Sequence, residues 1–237
     1  MTVYKAVDMA IRHRTLAERN PFADSASMIL RLALRSPEKR WGIRELARMA
    51  GASPALVVLA MRRLEQLGYA SRESTAQARI LEPAQLLRDW AAWYAIKPLK
   101  EYRYSLPEKT TAEKTLKLLA AARAELPGHW ALTSMAGASL VAPFAVFNEV
   151  HVHLPNAAEL AISWQQVLSL VPDRVGPIHL IQPYYVDSCS QGIRDIHRLP
   201  VVSDIQLYLD CYRYPVRGRE QAEHILSRVI EPRWKGG

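Results

Sequence analysis

His151 and His153 are the residues whose type and spacing most directly suggest chemistry. In the stretch Glu149-Val150-His151-Val152-His153 the two imidazoles alternate. In a strand they therefore point to the same face. Two imidazoles so placed can ligate a metal, and Glu149, on the same face, is the only candidate for a third ligand. A polar strand face accounts for the same pattern, and the expectation is no bound metal. A second set comprises Asp187, Asp195, Asp204 and Asp210 with Arg194, Arg217 and Arg219. Nucleases and nucleotidyl transferases use such groups, but they need carboxylates close enough to share metal ions, and no pair here has a spacing that forces this. Asp204 reads as a helix cap or ion-pair partner. Arg217, Arg219 and Glu220 read as a charged helix start, with Gly218 in the turn.

The remaining chemistry is thin. The chain has no Walker loop, no Gly-x-Gly-x-x-Gly, no Gly-x-Ser-x-Gly and no Cys-x-x-Cys. Its two cysteines, Cys189 and Cys211, make no disulfide framework and read as packing residues in a reducing compartment. No catalytic residue and no cofactor is expected, and the chain does not read as an enzyme.

The stretch that organises the chain is WGIRELARMAGASPALVVLAMRRLEQLGYA, residues 41–70. A first helix is predicted from about Ile43 to Ala50, with Ile43, Leu46, Ala47 and Ala50 on one side. Gly51 can take the left-handed conformation that ends it. Ser53 can cap a second helix with Pro54 at its first position. That helix continues through Ala60, Leu64 and Leu67 to Gly68. Tyr69–Arg72, a polar turn through 73–77, and Arg79–Leu81 then read as a two-stranded wing. A tight helix–turn–helix followed by a wing is a DNA-docking unit whose second helix enters the major groove. Ser53, Pro54, Ala55, Val58, Arg62 and Arg63 would face the groove or its phosphates, with Arg44, Arg72 and Arg79 as further phosphate contacts. The second helix begins PALVVLAMRR, so it offers few side chains for hydrogen bonds to base edges. Affinity should lean on phosphate contacts and methyl packing. A winged helix that packs against protein would show the same pattern.

Charge follows this division. Residues 1–100 hold 17 Lys and Arg against 9 Asp and Glu, whereas residues 101–237 hold 14 of each. The whole formal excess of +8 thus lies in the half that carries the helix-turn-helix, which fits a nucleic-acid module joined to a second module with another task. No apolar run is long enough to span a bilayer, and the first residues lack the apolar core of a signal peptide. A cytoplasmic protein without membrane contact is expected.

Taken in order, residues 1–20 read as a basic amphipathic helix ended by Asn20-Pro21. SASMILRLALRSP is the first helix of the DNA-binding domain. Pro83 opens a helix with Leu86, Leu87, Trp90, Ala91 and Tyr94 on one side. The expected fold class is α+β: an N-terminal winged helix-turn-helix domain over 1–96, a connector over 97–109, and a C-terminal mixed α/β domain over 110–237. Thr110-x-x-Glu113 reads as a capping box. Strands are expected at HWALTS, EVHVHLP, GPIHLIQP and LPVVS, with VDSCS pairing beside them. Ser203-Asp204 starts the helix DIQLYLDCYRY, and RGREQAEHILSRVI is the last helix.

The combination RELARMAGASPALVVLAMRRLEQLGY, LEPAQLLRDWAAWY, ALTSMAGASLVAPF, VHVHLP, IHLIQPY and VVSDIQLYLDCYRYPVRGREQAEHIL resembles the AbiEi family, the antitoxins and transcriptional regulators of type IV toxin–antitoxin systems. The most specific piece is QLYLD followed by GRE-x-AEH-L. The resemblance spans about residues 25–230. It implies a bacterial autorepressor that binds repeats in its own promoter, as a possible dimer on double-stranded DNA. It also implies a C-terminal domain that counters an AbiEii-like nucleotidyltransferase toxin without a stable complex. Two other readings fit the residues: a solitary regulator whose second domain senses a ligand or mediates assembly, and a nucleic-acid-processing enzyme using the C-terminal acidic residues.

Overall fold

A computed structural model of the chain describes residues 20–235 apart from 73 and 75. The helix expected over 1–20 falls outside them, save for residue 20 itself. The fold is mixed α+β with two separate sheets. It divides into two compact units, Met1–Trp93 with Glu231–Gly237, and Tyr94–Ile230. Among the described residues no helix is long and apolar enough to cross a membrane.

In the first unit, helix α1 (Asp24–Ala33) buries Ala26, Ile29, Leu30 and Ala33. Strand β1 (Trp41–Gly42) leads into α2 (Ile43–Ala50), which stops at Gly51 in the left-handed conformation, φ 62°. Helix α3 (Pro54–Gln66) starts on Ser53, whose hydroxyl accepts from the Leu56 N–H at 3.2 Å. Both expected boundaries are therefore found, and for the expected reasons: glycine bears φ > 0 without a Cβ clash, and the serine satisfies one orphan donor. Ala60, Met61 and Leu64 of α3 meet Leu46 and Ala47 of α2 in an apolar core. Strands β2 (Ala70–Ser71) and β3 (Gln77–Ile80) pair antiparallel, and β1 adds to the other edge of β3. Helix α4 (Pro83–Ala95) buries Leu86, Leu87, Trp90 and Ala91 as its periodicity predicts. Phe22 stacks on Trp90, ring centroids 6.1 Å apart, and the Arg31 guanidinium lies over the same indole. The unit is closed from far along the chain: Trp234, in the C-terminal helix Glu231–Lys235, donates its indole N–H to the Leu34 carbonyl at 2.6 Å.

The second unit is built on a seven-stranded sheet. Its elements are β4 (Lys100–Ser105), α5 (Ala112–Ala121), β5 (Ala131–Thr133), α6 (Ser134–Val141), β6 (Val150–His153), α7 (Ala157–Leu168), β7 (Val171–Pro172), β8 (Ile178–Gln182), β9 (Arg194–Ile196), β10 (Leu199–Val201), α8 (Asp204–Arg213) and α9 (Gly218–Ile225), the last continued by a π-helical turn, Leu226–Ile230. The strand order is β7-β4-β8-β6-β5-β10-β9. β6 runs parallel to β8, and β10 parallel to β5; the other pairs are antiparallel.

Four expectations are corrected. The stretch 97–109, expected as a connector, contains β4, which pairs with both β8 and β7. Its alternation sets Tyr102 and Tyr104 against Glu101 and Arg103, and so many charges in six residues look like a loop. The cap of α5 is Thr111, not Thr110; its hydroxyl accepts from Lys114 N, so Glu113 cannot complete a capping box and pairs with Lys117 instead. VDSCS forms turns, and the edge strand is Arg194–Ile196. At the start of α9 the left-handed residue is Arg217, φ 56°, not Gly218. Glycine stands at 218 because a Cβ there would lie 2.3 Å from the Cys211 carbonyl oxygen.

Candidate functional site

Two groups of residues are candidates, one in each unit. In the first, Ala55, Val58 and Arg62 follow helical spacing on the side of α3 away from buried Val57, Met61 and Leu64. Ser53, Pro54, Ala55 and Arg62 are exposed, and Val58 and Arg63 are half-buried. Arg63 donates to Gln66 at 3.2 Å. The first turn of α3 carries no acidic residue, so its positive dipole end is not neutralised from within the helix. Arg44 is exposed on α2, and Arg48, which the sequence reading passed over, is exposed one turn further along. Arg72 is held by Glu65, its Nε at 3.8 Å and its backbone N–H at 3.3 Å from that carboxylate. Arg79 lies opposite Ser71 across the hairpin.

The second group crosses four strands of the larger sheet. Residues on one face of a strand recur every second position, so pairing registers decide which side chains meet. His151 stands opposite Thr133 on β5 and opposite His179 on β8; His179 stands opposite Arg103 on β4. Glu101 and His153 extend the same face by one repeat. His151 and His179 are both buried, with ring centroids 4.2 Å apart. The His179 Nδ1–H is hydrogen-bonded to Glu101. Glu149, beside them, lies 3.7 Å from His179 Nε2 and 4.0 Å from His151 Nε2. Tyr214, just past α8, donates its hydroxyl to Glu149 at 2.7 Å. Among the described residues, Glu101, His151 and His179 are brought together with one donor atom each, all within 4.8 Å of one another. The face opens on a cavity of about 290 Å³, which Arg103, Arg213 and Tyr214 also line.

Electrostatics follow from burial. Burial, reinforced by the neighbouring His179, pushes His151 down to about 3, so its imidazole is neutral at pH 7. The hydrogen bond from His179 holds Glu101 down at about 2. Burial and the bond to Glu149 push the Tyr214 phenol well up, so it stays a donor. Three buried ring and guanidinium nitrogens here, His151 Nδ1, His179 Nε2 and Arg213 Nη1, have no hydrogen-bond partner among the described residues.

His153 goes elsewhere. It meets Asp210 of α8 at 3.2 Å, and the same carboxylate oxygen accepts from Thr133 at 2.5 Å and Gln206 at 2.9 Å. Gln206 also donates to the Tyr94 hydroxyl. The His151/His153 pair is therefore split between two networks, and the third and fourth members of the first are His179 and Glu101, neither singled out from the sequence. Their positions in β8 and β4 become informative only with the strand order. The acidic residues weighed for nucleic-acid chemistry are dispersed. Asp204 pairs with Arg194, Asp195 with Arg123 at 2.7 Å, and Arg217 with Glu220 at 3.0 Å. Cys189 and Cys211 are buried thiols, and burial raises the Cys211 thiol far above its usual range.

No family model, curated protein or solved structure matches the chain.

Proposed function

We propose that the first unit is a winged helix-turn-helix that binds double-stranded DNA, and that the chain is a transcriptional regulator acting on its own promoter. The observation that carries this reading is the outward face of α3. Its capped N-terminus, the stripe Ala55, Val58 and Arg62, and the flanking cations Arg44, Arg48, Arg72 and Arg79 all come from a short stretch with an otherwise apolar core. Phosphates favour a helix N-terminus free of acids, and small apolar side chains suit thymine methyl groups. The antitoxin role, with an AbiEii-like nucleotidyltransferase toxin as functional partner, rests on the sequence resemblance. So does a dimer on promoter repeats.

The test is binding of the full-length protein to its own upstream duplex against a scrambled duplex of equal length, across a salt series. Specific binding keeps its preference as salt rises. Equal binding to both, collapsing steeply with salt, reduces the unit to a basic surface. One observation favours a second reading, a regulator whose second unit senses a small ligand: the buried imidazole cavity, which the DNA-binding face does not use.

A further inference from the structure

We propose that His151 and His179, with the carboxylate of Glu149, bind a divalent transition-metal ion of the zinc class in the second unit, with Glu101 supporting His179. The site lies on the sheet itself. Three adjacent strands supply Glu101, His179 and His151, and the registers of the sheet bring their donor atoms within 4.8 Å of one another. Donor atoms around a tetrahedral zinc stand about 3.3 Å apart, from the usual metal–nitrogen length. The spacings of 3.7 Å and 4.0 Å from Glu149 to the two imidazoles need only a small closure to reach it.

The second observation concerns a group with nothing to do. His179 is 1% exposed and His151 6%. His179 nonetheless keeps a buried ring nitrogen without a hydrogen-bond partner among the described residues, Nε2, and this is the nitrogen that lies 3.7 Å from Glu149. Native interiors rarely leave such a group idle, and a bound ion is one of the standard reasons when they do. The arrangement around it is that of a supported ligand set. Glu101 takes the Nδ1–H of His179, which fixes the tautomer so that Nε2 carries the lone pair. Tyr214 holds Glu149 from behind at 2.7 Å.

The donor set selects the metal. Two imidazole nitrogens with a carboxylate oxygen suit zinc and its neighbours in the first transition row. Calcium and magnesium call for oxygen ligands throughout. The Glu149 carboxylate, with Glu101 behind His179, offsets the ion's double charge. The adjoining cavity of about 290 Å³ leaves room for an exogenous ligand on the ion. His153 is excluded from the set because Asp210 already engages it at 3.2 Å.

The experiment uses the full-length protein, stripped with chelator, dialysed and titrated with Co²⁺ while visible absorption is followed, then back-titrated with Zn²⁺. The expected result is an intense d–d band saturating at one Co²⁺ per chain and bleached by one equivalent of Zn²⁺. His151→Gln and His179→Gln should each abolish the band. Glu149→Gln and Glu101→Gln should weaken binding by about 10–100-fold, the usual range for carboxylates that ligate or support a metal-bound imidazole. His129→Gln, an exposed histidine outside the cluster, should change nothing. Absence of a stoichiometric band from the wild-type chain overturns the proposal, whatever the variants do. A band that survives both imidazole substitutions overturns it equally. Should either imidazole variant fail to fold, the wild-type titration with Glu149→Gln still decides. The outcome is independent of DNA binding, which reads the other unit.

Discussion

The two units handle polar groups in opposite ways. In the first, Arg44, Arg48 and Arg62 stand exposed and Arg63, Arg72 and Arg79 half-buried around a core that is almost wholly apolar, with Arg31 its chief charged member. In the second, the imidazoles of His151, His153 and His179 lie inside with the Asp210 carboxylate and the Gln206 amide, satisfied by one another or left with idle nitrogens, and Glu149 and Glu101 stand further out. A surface cation serves a large, charged partner that arrives from solvent, and it tolerates substitution because water replaces the lost contact. An interior polar face is costly unless every member is engaged, so its upkeep points to a small partner that enters it. The first unit should therefore respond to salt and the second to pH and metal.

The strongest way to break this contrast is Asp210→Ala. It leaves His153, Thr133 and Gln206 aimed at a missing acceptor, and unfolding in urea should show a loss of about 3–5 kcal/mol. A loss near that of a surface substitution would mean water reaches the network and the interior is less closed than its burial implies. Next comes pH. In the metal-free protein His151 is pushed down to about 3 from the usual histidine value of 6.5. The unfolded chain then binds a proton that the folded chain refuses. Stability is complete above pH 6.5 and falls as pH drops toward 3, by about 1.4 kcal/mol per pH unit at most. Urea midpoints between pH 4 and 8 should show that slope, and His151→Gln should flatten it. Below it, Glu101 adds a loss between its usual 4.5 and about 2.

Smaller effects sharpen the picture. Gly218→Ala should cost about 1–3 kcal/mol, as overpacking does, because the new Cβ meets the Cys211 carbonyl rather than a movable side chain; a thermal melt reads it. Arg62→Ala should leave the melt unchanged, weaken binding to all duplexes alike, and lower the salt slope by about 0.9 if it contacts one phosphate. An unaltered slope removes α3 from the interface. Ser53→Ala should cost about 1 kcal/mol through the lost cap, a loss seen in urea.

What was legible in the sequence was local. Gly51, Ser53 and Pro54 announce the end of α2 and the start of α3 through backbone conformation and capping, which need no distant partner. Ser203 does the same for α8, where its hydroxyl accepts from Gln206 N at 3.3 Å. Alternation in VHVH placed His151 and His153 on one face correctly. The missing pieces depend on pairing between strands far apart in the chain. His179 sits alone in the apolar run of β8, and Glu101 lies in a strand whose charged face disguised it as a connector. That face is charged because it belongs to the cluster, so the feature that brings β4 into the cluster is the one that hid it. The domain boundary failed for a similar reason: nothing near residue 96 reveals that Trp234 returns to Leu34.

That return has a consequence for how the molecule can be taken apart. The first unit is written in two pieces of gene, with the whole of the second inserted between them. A fragment cut at residue 96 would carry every cation of the α3 face, yet the Leu34 carbonyl would lose its indole lid and the unit the helix Glu231–Lys235, which follows the second unit in the chain. On the ribosome, then, the first unit stays unfinished until translation has passed through the entire second unit.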